Sequence, residues 1–351
     1  MFFMQTVYIP KIYDVKQQAT KNAVNLLLFL FMALPFFIQK FLPHVEVGGK
    51  VLLKKFYSSS LGIEKHYNIY LPEGYDETHE RYPVVFFLRG HEREWFNPNE
   101  DASRNGRTLK HVADSLIASG KIGKMILVGI STASEDNSVP CLGVNMLNPH
   151  ATTAEGIGTG RYEDYLTRDL IWHIDSTYRT IPRRTKRGID GFSLGGYTAV
   201  MMGVKHPELF CSVGSYDGTH MWYDFDDTRR NDEPPDDYTW VRTDFFKVAF
   251  GEPRDIAYMK QYNPLNILMN ATPEQLKKIK SVQFHILAAA YDGDKGNIER
   301  AEHLLEFFKK KGIKNSFSDV KLTPTALHDW HHANLYAEKT LQKHWQAFSK
   351  P

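Results

Sequence analysis

Gly191-Phe192-Ser193-Leu194-Gly195-Gly196 sets one hydroxyl between glycines at the point where an apolar strand pattern gives way to an apolar helix pattern. A tight strand-to-helix turn of this kind forces its serine into strained backbone geometry and exposes the hydroxyl. The flanking glycines are needed because side chains there would meet the adjoining strand and helix. The following helix points its positive end at the same place. That arrangement suits nucleophilic attack on an acyl carbon by Ser193. A glycine-rich turn serving only close packing would show the same letters, so partners decide the matter.

A serine hydroxyl needs a general base, and the base needs a group to orient it. In chain order the acid should follow the serine and the base should come last. His328, in Ala326-Leu327-His328-Asp329-Trp330, precedes the final helical pattern and is the candidate base. His331 and His332 lie close by, but adjacent residues point apart on a helix and no carboxylate completes a metal-ligand spacing. No metal and no cofactor is expected. For the acid, the strand ending near Ala288 runs into Tyr291-Asp292-Gly293-Asp294, and Asp292 is nearest its end. Asp294, in the same turn, and Asp217, in Ser215-Tyr216-Asp217-Gly218 after the preceding strand, are the alternatives. The negative charge that develops on the acyl oxygen needs N–H donors. The backbone amide of Leu194 is one expected donor. The amide of His91, in the early loop Leu88-Arg89-Gly90-His91, is the other.

The elements that must hold these residues are legible as runs. Residues 83–88 and 124–130 are short continuous apolar segments, as in strands buried on both faces of a parallel sheet. Further strands are expected over 51–57, 65–71, 187–191, 210–215 and 282–288. Helical periodicity falls at 109–120, 162–178, 195–205, 298–311 and 334–348. This alternation predicts a doubly wound, mostly parallel α/β sheet with helices on both faces. The stretch 222–237 (WYDFDDTRRNDEPPDD) reads as a long surface excursion. A net charge of +2 gives no electrostatic case for nucleic acid as a partner.

Two regions divide the chain. Residues 1–44 contain an apolar run at 23–38 (AVNLLLFLFMALPFFI) preceded by Lys16 and Lys21. Positive charge ahead of an apolar run is the arrangement of a signal peptide or anchor. No small-residue cleavage site follows, which favours an uncleaved anchor, membrane association through 23–38, and a place in the cell envelope or outside the cell. An apolar helix lying on the domain or in a membrane interface is the alternative. Residues 45–351 form the expected catalytic domain. Cys141 and Cys211 have no metal-ligand spacing, and Cys211 reads as a core residue. A disulfide between them would require an oxidising compartment and a geometry that sequence does not supply.

From residue 50 to 348 the chain resembles a family of esterases with the α/β-hydrolase fold, which takes in feruloyl esterases, S-formylglutathione hydrolases and the antigen 85 mycolyltransferases. The resemblance rests on residues 58–62 (SSSLG), 67–75 (YNIYLPEGY), 81–84 (RYPV), Tyr162-Glu163, Asp169-Leu170, 178–180 (YRT), 191–197, 206–210 (HPELF), Gly312-Ile313 and His328-Asp329-Trp330. It implies an acyl-enzyme on Ser193, His328 as base, and an oxyanion amide at His91 directly after Arg89-Gly90. It also implies a small-molecule or saccharide-linked ester as substrate. Members often carry His-Gly or Asp-Gly in place of Arg89-Gly90, and Ser-Gly in place of Asp217-Gly218. The first departure puts a cation near the oxyanion site; the second reopens the choice of acid. Ester hydrolysis is the leading expectation. Acyl transfer to a sugar or lipid hydroxyl would use the same acyl-enzyme, and a non-catalytic binding member would use only the fold.

Overall fold

The computed structural model describes residues 48–225, 238–293 and 296–350. The apolar run at 23–38 and the rest of the segment 1–44 lie outside the described residues. The site belongs to the unit Gly48–Pro351.

Seven strands form one sheet in the order β1-β2-β4-β3-β5-β6-β7. They are β1 (Lys50–Ser58), β2 (Ile63–Leu71), β3 (Val84–Leu88), β4 (Ile126–Ile130), β5 (Arg187–Gly191), β6 (Ser212–Tyr216) and β7 (Gln283–Leu287). The β1–β2 hairpin pairs antiparallel with itself and with β4, and all pairings from β4 through β7 are parallel. The apolar runs of β3 and β4 become central strands because both their faces are covered. Val84, Phe86 and Leu88 join one core cluster, while Val85 and Phe87 join the other. Each such side chain removed from water contributes about 1.5–3 kcal/mol.

Helices cover both faces. On one lie α2, a continuous helical run over 162–177 with a π-helical middle at Tyr165–Leu170, and α3 (Leu194–Lys205). On the other lie α1 (Leu109–Ala118) and α6 (Trp330–Phe348). α4 (Pro273–Lys280) precedes β7, and α5 (Asn297–Lys310) follows it. α4 starts on a capping box between Thr272 and Gln275. The final helix begins four residues earlier than its periodicity suggests, because Asp329 accepts the His332 amide as its N-cap.

Between β6 and β7 the chain makes several short helices, Lys247–Phe250, Ile256–Lys260 and Pro264–Met269. The expected surface excursion is corrected at its start, since Trp222 and Phe225 are buried in the domain; residues 226–237 lie outside the described residues. Cys141 and Cys211 are both buried and both free, so no disulfide joins them.

Candidate active site

Ser193 sits between the last residue of β5 and the first of α3, with φ 59° and ψ −124°. A positive φ is costly for a residue with a side chain, and such strain persists only where the surroundings over-determine it. Here they do. The Ser193 amide donates to the Tyr216 carbonyl (3.0 Å), the Tyr197 amide to the Ser193 carbonyl (3.1 Å), and the Gly195 amide to the Phe192 carbonyl (2.9 Å). The glycines answer to close approach. A Cβ on Gly191 would stand 2.2 Å from the Gly195 backbone, and one on Gly195 would stand 2.1 Å from the Leu88 carbonyl oxygen. Gly195 thus lets α3 press its first turn against the end of β3, where the Arg89-Gly90-His91 loop begins.

His328 stands beside this turn. Its ring centroid lies 4.6 Å from that of Phe192, the residue before Ser193. Its loop is held from three sides. Tyr216 donates its hydroxyl proton to the Leu327 carbonyl (2.6 Å), Trp330 packs edge-on against Phe192 (5.2 Å) and Trp95 (5.1 Å), and Asp329 caps α6. The His-Asp-Trp triplet therefore joins the candidate base, a helix cap and a packing anchor.

The carboxylate on His328 is Asp217, at 2.5 Å from Nδ1 to Oδ2. A carboxylate only accepts, so the proton is on Nδ1 and Nε2 is left as an acceptor. Neither Nε2 nor the Ser193 hydroxyl has a hydrogen-bond partner among the described residues. Asp217 is fully buried. It is fixed by the Ala289 amide on Oδ1 (3.0 Å) and by the Asn297 side-chain amide on Oδ2 (3.3 Å).

This corrects the acid expected from the sequence. Asp292 does not contact His328 but accepts the Asn297 amide on Oδ2 (2.6 Å), at the start of α5. The reason is topological. After β7 the chain bridges Lys321 at Ala288 and Leu327 at Tyr291, and the next residue turns its carboxylate to the start of α5. Asp217 comes straight off β6, the strand next to the nucleophile's own, and turns inward with φ 45°. The signal for it was present in Ser215-Tyr216-Asp217-Gly218. Asp294 lies outside the described residues.

The expected oxyanion donors differ in state. Leu194 opens α3, where amides have no intrahelical acceptor. The His91 amide is corrected as a free donor, because both it (2.5 Å) and the Gly90 amide (2.6 Å) donate to Glu94 Oε2. Glu94 is buried in the turn that Trp95 anchors through its indole N–H to the Leu88 carbonyl (3.1 Å). The sequence reading missed Glu94. An acidic side chain three residues on from an expected anion-binding amide was the available sign.

A hydrogen-bonded Asp-His-Ser chain lies elsewhere. His344 bridges Asp190 (3.0 Å) and Ser212 (2.7 Å), and Ser212 continues to His285 (2.8 Å). All four are buried to completion or nearly so, out of reach of any substrate, and the network satisfies core polar groups. His331 and His332 are not drawn into a cluster with His328; His332 Nδ1 meets Asp329 (2.8 Å). Among the described residues no three His, Cys, Asp or Glu side chains come together in a way that would hold a metal ion.

Residues 58–247, more than half of the chain, match the family model described as "Putative esterase". An endo-1,4-beta-xylanase/feruloyl esterase of Xylanibacter ruminicola is 29% identical over 178 residues, 49% of this chain and 22% of that protein. The Bacillus subtilis protein YjcH is 26% identical over 166 residues, 47% of this chain and 60% of that one. The chain thus spans less than two thirds of the length of these curated relatives. Among solved structures, a ferulic acid esterase aligns with TM-score 0.63 and 19% identity over 86% of this chain and 99% of that one. The ferulic acid esterase of Anaeromyces mucronatus, in complex with ferulic acid, aligns with TM-score 0.60 and 16% identity over 87% and 94%. The S-formylglutathione hydrolase of Agrobacterium tumefaciens aligns with TM-score 0.58 and 17% identity over 86% and 96%. At these identities the structural likenesses establish the fold. With the family match spanning the elbow at Ser193, the chain belongs to this esterase family of α/β-hydrolases.

Proposed function

We propose that the chain hydrolyses carboxylic esters through an acyl-enzyme on Ser193, with His328 as general base and Asp217 as the acid that orients it. The observation that carries this reading is the Asp217–His328 contact beside a serine held at φ 59°. His328 Nε2 takes the hydroxyl proton as Ser193 Oγ attacks the ester carbon. The oxyanion faces the Leu194 amide and the positive end of α3. Collapse expels the alcohol, which takes the proton back from His328. Water then repeats the sequence and releases the acid. Asp217 keeps the imidazole in the Nδ1–H tautomer throughout and stabilises the imidazolium that forms.

Hydroxycinnamate-type esters are the substrate class to test first. A curated relative is named a feruloyl esterase, and one similar structure holds ferulic acid. The test compares wild type with Ser193→Ala on a panel of acyl esters, with and without a sugar acceptor, and identifies products by mass spectrometry. Free acid as product, lost in Ser193→Ala, supports hydrolysis. An acyl sugar as the main product would turn the reading to transfer. On the sequence alone, the run at 23–38 is proposed as a membrane anchor for this domain.

A further inference from the structure

We propose that Arg89 is an anion-recognising residue of this site and selects esters whose alcohol half carries a carboxylate. Naming the alcohol half rests on the hydrolase reading above.

Gly90 and His91 both direct their amides at Glu94 Oε2, so the backbone of the β3 loop is already closed on the chain's own carboxylate, and Glu94's charge is met there. Arg89, one residue earlier, is in the opposite condition. Its side chain is half-buried, its Nε is buried with no hydrogen-bond partner, and it forms no ion pair with any carboxylate among the described residues. A buried donor with no acceptor is costly, and a cation in that state is better satisfied by an incoming anion. A guanidinium also presents a planar fork that matches a carboxylate.

Its position connects it to the chemistry. The Arg89 guanidinium carbon lies 5.1 Å above the Phe192 ring, and the same ring lies 4.6 Å from the His328 ring. Phe192 is joined directly to Ser193. Arg89 and His328 therefore both pack against the ring of the residue that precedes Ser193. His328 is the group that returns a proton to the departing alcohol, and on that shared ring contact the cation is assigned to the alcohol half.

The test reads binding apart from turnover. In Ser193→Ala, which should hold an intact ester, p-acetoxybenzoate should bind about tenfold or more tightly than its neutral isostere p-acetoxybenzamide in NMR titrations. Ser193→Ala/Arg89→Met should lose that difference, and Ser193→Ala/Arg89→Lys should keep part of it. Arg89→Gln stands in if the Met variant does not fold, as judged by its thermal melt. Equal affinities in Ser193→Ala, or a preference that survives removal of Arg89, overturn the proposal. An Arg89-dependent preference for monophenyl succinate over phenyl butyrate, without one for p-acetoxybenzoate, overturns the assignment to the alcohol half. Wild-type turnover of the neutral ester tests the hydrolase reading by itself. Its absence alongside Arg89-dependent carboxylate binding would sink that reading and overturn the assignment to the alcohol half, while anion recognition by Arg89 would stand.

Discussion

Replacing Asp217 by Asn separates the orienting acid from its neighbours. Asp217 Oδ2 meets His328 Nδ1 at 2.5 Å and also accepts from Asn297, while Oδ1 accepts the Ala289 amide. An asparagine has one oxygen for these demands. If the oxygen stays toward Ala289, the amide group faces Nδ1 and drives the imidazole into the tautomer whose Nε2 carries the proton. Nε2 then cannot accept from Ser193. If the side chain flips, the amide group faces the Ala289 N–H, and a fully buried donor loses its acceptor at a cost of about 1–3 kcal/mol. The first outcome should lower kcat by up to ~10⁴-fold, equivalent to about 5.4 kcal/mol of activation free energy, as in the serine-protease template. Asp292→Asn should cost less than about tenfold, because an Asn oxygen can still accept the Asn297 amide and the residue does not touch the imidazole. The assay is hydrolysis of one p-nitrophenyl ester by both variants, with thermal melts to confirm folding. Near-wild-type activity in Asp217→Asn together with a crippled Asp292→Asn would refute the geometric argument.

Ser193→Ala should fold, hydrolyse no p-nitrophenyl ester above background and take no fluorophosphonate label; labelling at the wild-type level would remove Ser193 as the nucleophile. Glu94→Gln replaces a buried carboxylate that accepts two amides with a neutral acceptor, and should lower unfolding free energy by about 1–3 kcal/mol in urea titrations. An unchanged midpoint would show that the two contacts contribute nothing net. Burial, helped by the Arg300 guanidinium, pushes the His220 imidazole down to about 3, and burial with His344 alongside lowers His285 as well. The unfolded chain binds a proton on each below its ordinary value of 6.5 while the folded chain does not. Stability should therefore fall with pH below that value, by up to about 1.4 kcal/mol per pH unit for each histidine. His285→Gln, if folded, should show a shallower loss, and an identical slope would exclude His285 as a contributor. Full-length protein should fractionate with membranes and a chain starting near residue 45 should not; recovery of the full-length protein entirely in the soluble fraction would end the anchor proposal.

The strained turn at Ser193 was legible in the sequence because every requirement on it is local. The end of the strand before it, the start of the helix after it and the glycines at Gly191 and Gly195 fall within about two helical turns of chain, and their spacing already states the turn. The central strands were equally plain, since burial on both faces leaves an unbroken apolar run in β3 and β4. The short helices between β6 and β7 were not, because four to six residues span too few turns for a period to show. Sequence alone narrowed the acid to three carboxylates, each just beyond a strand. Seeing which of them meets His328 required the lateral order of β5, β6 and β7 and the bridges that follow β7, both set by pairings between residues far apart in the chain. The same holds for the loop after β3. Letters along the chain mark Gly90 and His91 as amides able to meet an anion, but whether a buried side chain already fills that place depends on the fold of the turn that brings Glu94 back onto them. Local conformation and burial pattern are encoded in neighbouring residues; which side chains finally meet is decided by tertiary packing.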